Sequence, residues 1–163
     1  MAYENIANDY GLIGKVAIIA GGGGPVGGGL DEGVTNGRAA AILLARAGAK
    51  VYAAKCASCH GPKGEGKPAD RLVGGIGTLT KERIRTVGSY WPYATTLFDY
   101  IRRAMPYDRP MSLTNQEVWG LTAYVLWMNG IVGRSDVLDA ATLPKVRMPN
   151  RDGFVDGRDG RPR

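Results

Sequence analysis

Cys56-Ala57-Ser58-Cys59-His60 decides how the rest of this 163-residue chain is read. On a helical backbone the two thiols lie one turn apart. Each can then add to a vinyl group of one porphyrin, with the histidine behind them supplying an axial nitrogen to its iron, so the pattern is that of c-type haem attachment. The chain has two cysteines and one histidine, and all three are here. A structural zinc fits poorly, because it needs four ligands and only three soft ones exist. A thioredoxin-like C-x-x-C remains an alternative that wants a strand before the motif and a redox-tuned helix after it. The plain alternative is an exposed turn.

Composition sets the outer limits. The hydrophobic fraction of 44% is ordinary for one globular domain. The net charge of +6 is spread without a run of Lys and Arg, which argues against nucleic acid and suits docking to an acidic protein partner. No apolar stretch approaches the roughly 20 residues of a membrane span. Lys15 to Ala20 is apolar but too short for a secretory leader, and the glycines from Gly21 to Gly29 break it. Bacterial C-x-x-C-H haem proteins mature outside the cytoplasm, so the expectation is that a leader is missing or that the start is not the natural one.

The sequence divides into a Gly- and Ala-rich extension (1–47), a central unit with the motif and the aromatic helical segments (48–132), and a tail with Pro, Gly and alternating charge (133–163). The extension is not expected to be an independent domain. Within it, Gly14 to Ala20 reads as a short strand, the glycine cluster as a loop, and Asn36 to Val51 as a helix and the start of a second strand. This resembles the opening of a short-chain dehydrogenase of the Rossmann type, whose glycines let a pyrophosphate approach a helix N-terminus. The alternative function is therefore a fragment of an NAD(P)-dependent short-chain dehydrogenase. Ala20 stands where that family opens its motif with Thr, no acidic residue follows Val51, and no Tyr-x-x-x-Lys pair occurs. The Ala-rich run from Arg38 to Ala57 favours helix instead. The expectation is one helix from about Gly37 to Ser58, capped by Asn36 and kinked at Gly48, with Gly48 allowing close approach to an aromatic of the last helix such as Tyr124.

After the motif, Gly61-Pro62-Lys63-Gly64-Glu65-Gly66-Lys67-Pro68 reads as a loop. It resembles the Gly and Pro loop that class I cytochromes c place beside the haem edge. A backbone carbonyl near Pro68 is expected to accept the ring N–H of His60 and fix the imidazole. For a second axial ligand the candidates are Met105, Met111, Met128 and Met148. Met105 is favoured: it follows a helix over Ala94 to Ala104, and Pro106 drives it into extended geometry. Met111 is the competitor in the same loop. An open sixth site would instead suit a peroxidase-like enzyme. A capping box, Thr114-Asn115-Gln116-Glu117, opens a last helix that Asn129-Gly130 ends, with Val118, Leu121, Thr122, Val125 and Met128 on one stripe.

The segment from Thr86 to Pro106, with Ser112 to Thr114, the last helix and Leu143 to Phe154, resembles the cytochrome c subunits of bacterial sulfite and sulfur dehydrogenases. The resemblance implies an all-α, class I cytochrome c fold around one covalent haem c. It implies Cys56 and Cys59 as attachment points, His60 and Met105 as iron ligands, and Trp91 with Tyr90 lining the haem. It implies an electron-transfer subunit, not an enzyme in itself, and a periplasmic location. In that family the electrons come from a molybdenum-containing sulfite- or sulfur-oxidising subunit and go to an acceptor cytochrome, and the resemblance implies the same partners here. Lys55, Lys63, Lys67 and Arg109 are expected to steer an acidic partner.

Overall fold

The structure, a computed structural model, describes residues 47–155 apart from 83, 134, 135 and 137. The strand and glycine loop of the dehydrogenase-like reading lie outside the described residues, as does the expected helix before residue 47. Residues 47–55 are helical (α1), and Ala57–His60 (α2) continues them past a break at Cys56. Ala94–Ala104 (α3) and Asn115–Met128 (α4) follow, then a 3-10 turn at Leu143–Lys145. Long irregular loops connect these pieces, and no extended strand occurs among the described residues.

Of the two expectations about the first helix, its continuity through Gly48 is observed and its kink there is not. Residues 48–51 are helical, so the turn and second strand of the dehydrogenase-like reading are not formed. The irregularity falls at Cys56 and not at Gly48: Cys56 has φ −123°, yet its carbonyl still accepts from His60 N at 2.9 Å. The helix thus reaches His60, and Gly61, at φ +80°, turns the chain away in the left-handed region open to glycine.

Gly48 is buried for a steric reason. A Cβ there would overlap the backbone carbonyl of Gly120 on α4 and stand 3.0 Å from Tyr124 Cβ. Two helices meet glycine to glycine, closer than any side chain permits. One turn on, the Tyr52 ring packs on Tyr124 with centroids 5.4 Å apart, and Lys55 Nζ lies 2.5 Å from Glu117 Oε1. Glu117 also closes the expected capping box, accepting from Thr114 N at 2.9 Å while its own N–H donates to Thr114 Oγ1 at 3.2 Å. Partial burial opposes ionisation of Glu117, but the Lys55 and Thr114 hydrogen bonds outweigh it and hold the carboxyl below its usual range.

Helix α4 is apolar on nearly every side, burying Val118, Leu121, Thr122, Ala123, Val125 and Leu126, and α3 packs on it through Leu97 and Ile101. Asn129 caps α4, and its buried amide reaches across the molecule: Nδ2 donates to Leu72 O at 3.2 Å and Oδ1 accepts from Gly74 N at 3.2 Å. The tail closes the core. Leu138, Leu143 and Met148 are buried, with Met148 only 1% exposed, and the 3-10 turn packs on α3.

Replacing Gly48 tests the crossing. Ala ordinarily favours a helix over Gly by about 1 kcal/mol. Here the added carbon meets backbone that cannot swing aside, so Gly48→Val is expected to lower stability by about 1–3 kcal/mol in denaturant unfolding. An unchanged midpoint would contradict the close crossing.

Candidate haem site

Beside the attachment motif lies a cleft with a volume of about 680 Å³, within the usual size of sites for small molecules and cofactors. Cys56, Cys59 and His60 line it from the end of α1 and from α2, and Met105 lines it from just beyond α3. Apolar side chains fill much of the remaining wall, among them Leu72, Leu97, Ile101, Leu121 and Val125.

His60 is held by its ring. Nδ1 lies 2.8 Å from the Asp70 carbonyl oxygen. A carbonyl only accepts, so the proton sits on Nδ1 and the Nε2 lone pair remains for a metal. The carbonyl expected near Pro68 is thus that of Asp70, two residues on. The cause is how the loop folds back: Gly66 N donates to His60 O at 2.7 Å and Ala69 N to Cys59 O at 2.9 Å, which brings Asp70 under the imidazole. Pro68 is exposed and is not part of the cleft wall.

The methionines separate by position. Met105, extended at φ −116° and ψ 147°, lines the cleft. Met111 is 77% exposed, Met148 is core, and neither they nor Met128 belong to the cleft wall. Trp91 and Tyr90 both line the cleft, and Trp91 stands edge-on to Tyr100 with centroids 5.4 Å apart. Tyr52 lines it too, its hydroxyl donating to Gly61 O at 2.8 Å; burial foremost pushes that phenol up to about 12. Sequence reasoning missed Tyr52, Asp70 and Arg85 as wall residues. Tyr52 had a signal, since it lies four residues after Gly48 on the same helical face. Asp70 and Arg85 sit in loops where no period marks them.

The two thiols differ. Cys59 is exposed, whereas Cys56 is packed against the core and burial pushes its thiol up to about 11. Lys55, expected as a steering charge, is half-buried against Glu117 instead, and Arg109 lies 3.4 Å from Asp108 on the surface.

A donor set of two thiols, an imidazole with a free Nε2 and a thioether, all facing one largely apolar cleft, fits an iron porphyrin and defines a helical haem-binding protein. Comparison with known proteins agrees. Residues 44–125 match the family model described as cytochrome C oxidase, cbb3-type, subunit III, and the chain belongs to this cytochrome c family. It carries a class I cytochrome c fold, and a cytochrome c domain implies covalent haem c and electron transfer. The chain is also similar to a solved structure, the sulfane dehydrogenase SoxCD from Paracoccus pantotrophus, with 40% identity over 71% of this chain and a TM-score of 0.66. It spans 58% of that relative's length. No curated protein sequence matches it.

In the protein without haem, alkylation at neutral pH should modify Cys59 well before Cys56, because the thiolate is the nucleophile and burial disfavours it at Cys56. Peptide mapping after a short iodoacetamide pulse reads the order. Equal labelling in the folded protein would contradict the burial of Cys56.

Proposed function

We propose that this cytochrome is the electron-transfer partner of a molybdenum-containing subunit that oxidises sulfite or sulfane sulfur, and that it passes electrons singly to another cytochrome in the periplasm. The observation that carries the reading is the 40% identity to sulfane dehydrogenase SoxCD over 71% of this chain. In this reading residues 48–132 form the cytochrome unit, with 133–163 as its tail. Cys56 and Cys59 would anchor the haem by thioether bonds, and His60 and Met105 would bind its iron. When bound, the haem supplies a one-electron iron couple, which imidazole and thioether ligation poises at high potential for electron transfer.

The residues do the rest by position. Asp70 O holds the His60 ring at Nδ1, so its orientation does not depend on side-chain packing alone. Pro106 is buried and anchors the loop that presents Met105. The apolar side chains of the wall, Leu72, Leu97, Ile101, Leu121 and Val125 among them, would exclude water once the haem fills the cleft, which strengthens charge interactions inside it. Lys63 and Lys67, exposed on the loop after the motif, remain as candidates for steering an acidic partner.

Two experiments test this. Met105→Ala should abolish the far-red thioether-to-iron absorption band of the oxidised protein, while Met111→Ala leaves it intact; the reverse would reassign the ligand. For the partner, the cytochrome should co-elute with a co-expressed molybdenum sulfur-oxidising subunit and be reduced only when that subunit and its sulfur substrate are both present. Reduction should slow as salt rises. A cytochrome that neither binds nor is reduced by that subunit, though chemically reducible, would end the sulfur reading and leave electron transfer standing.

A further inference from the structure

The wall that carries Tyr90 and Trp91 is not braced from the core alone. Its first half is tied internally, with Thr86 N donating to Ser89 Oγ at 2.8 Å and Ser89 N to Thr86 Oγ1 at 3.1 Å. At Tyr90 the tail takes over. Asn150 Nδ2 donates to the Tyr90 carbonyl at 2.7 Å, and the Phe154 ring meets the Tyr90 ring edge-on, with centroids 5.3 Å apart at 67°. Nearby, the Arg151 guanidinium sits 4.3 Å over the Tyr93 ring. The brace has a defined shape of its own. Met148 is buried, Arg151 N donates to Met148 O at 3.1 Å, and Gly153 N donates to Asn150 O at 3.2 Å. Gly153 also lies so close to the Asn150 side chain that a Cβ there would overlap its Oδ1, which fixes the amide that holds Tyr90.

Tyr90 in turn supports a charge. The Arg85 guanidinium carbon is 5.1 Å from the Tyr90 ring centroid, and Arg85 lines the cleft. A long cationic side chain at a surface rim has many rotamers open to water, and ordering it costs entropy. A ring fixed on its other contacts offers the cation a stationary face. A positive charge kept at the cleft disfavours the oxidised iron, which carries one more positive charge than the reduced form, and so raises the reduction potential.

We propose that Asn150 and Phe154 are positioning residues of the haem site: they hold Tyr90, Tyr90 holds the Arg85 guanidinium at the cleft, and this chain raises the reduction potential of the iron. The proposal rests on the cleft being the haem site.

The test is a spectroelectrochemical titration of the full-length holoprotein and its variants. Phe154→Leu and Asn150→Ala each lower the potential, Phe154→Tyr retains it because the ring edge is kept, and Arg85→Gln lowers it. The double variant R85Q/F154L matches R85Q alone, because Phe154 acts only through Arg85. A folded Phe154→Leu or Asn150→Ala protein with the wild-type potential overturns the proposal, as does a double variant whose shift is the sum of the two. Should Phe154→Leu fail to fold, Asn150→Ala against R85Q/N150A reads the same coupling. A folded wild-type chain that takes up no covalent haem overturns the site reading first and this proposal with it, and that failure is visible before any potential is measured.

Discussion

The place where Gly48 meets Gly120 governs the rest. Because neither helix presents a side chain there, α1 and α4 approach until backbone touches backbone. That distance brings the next residues into register: Tyr52 onto Tyr124, Lys55 onto Glu117, Cys56 against the core. The attachment motif begins where this contact stops. Its position relative to the apolar body of α4 therefore follows from two glycines, and α4 passes the constraint to α3 and so to Met105.

Outside the helices, polar groups take the part that regular secondary structure plays elsewhere. The described residues of 72–90 form no helix or strand, yet backbone groups among them have defined partners: Leu72 O and Gly74 N on the Asn129 amide, Thr86 and Ser89 on each other, Tyr90 O on Asn150. Among the described residues no buried side-chain polar atom lacks a partner. A loop wall satisfied in this way forms a stiff surface facing the cleft. It also buries Thr86 and Ser89 without exposing the core to an orphaned hydroxyl.

What the sequence disclosed and what it withheld divide along the same line. α3 and α4 were legible to within a residue, since a capping box, a Pro after the last turn and an Asn-Gly stop act within a few residues of chain. The approach of Gly48 to Tyr124 was foreseen, whereas the glycine partner at 120 was not, because a glycine inside an apolar helix carries no pattern of its own. The Asp70 carbonyl and the Lys55–Glu117 pair stayed hidden for a related reason. A loop carbonyl is chosen by where the chain folds back, and a surface-seeming lysine gains its partner only when two helices cross. Met148, read as a tail residue, is core because distant segments leave a space that nothing local announces.

That contribution from far along the chain has a mechanical consequence. Leu138, Leu143 and Met148 share one core with Leu97 and Ile101 of α3 and with Val118, Leu121 and Leu126 of α4, so they tie together elements distant in sequence. Truncating them would leave a void against both helices, and a void in a packed core loosens whatever leans on it. Since α3 leads directly into Met105, slack at Met148 would be felt at the far wall of the cleft.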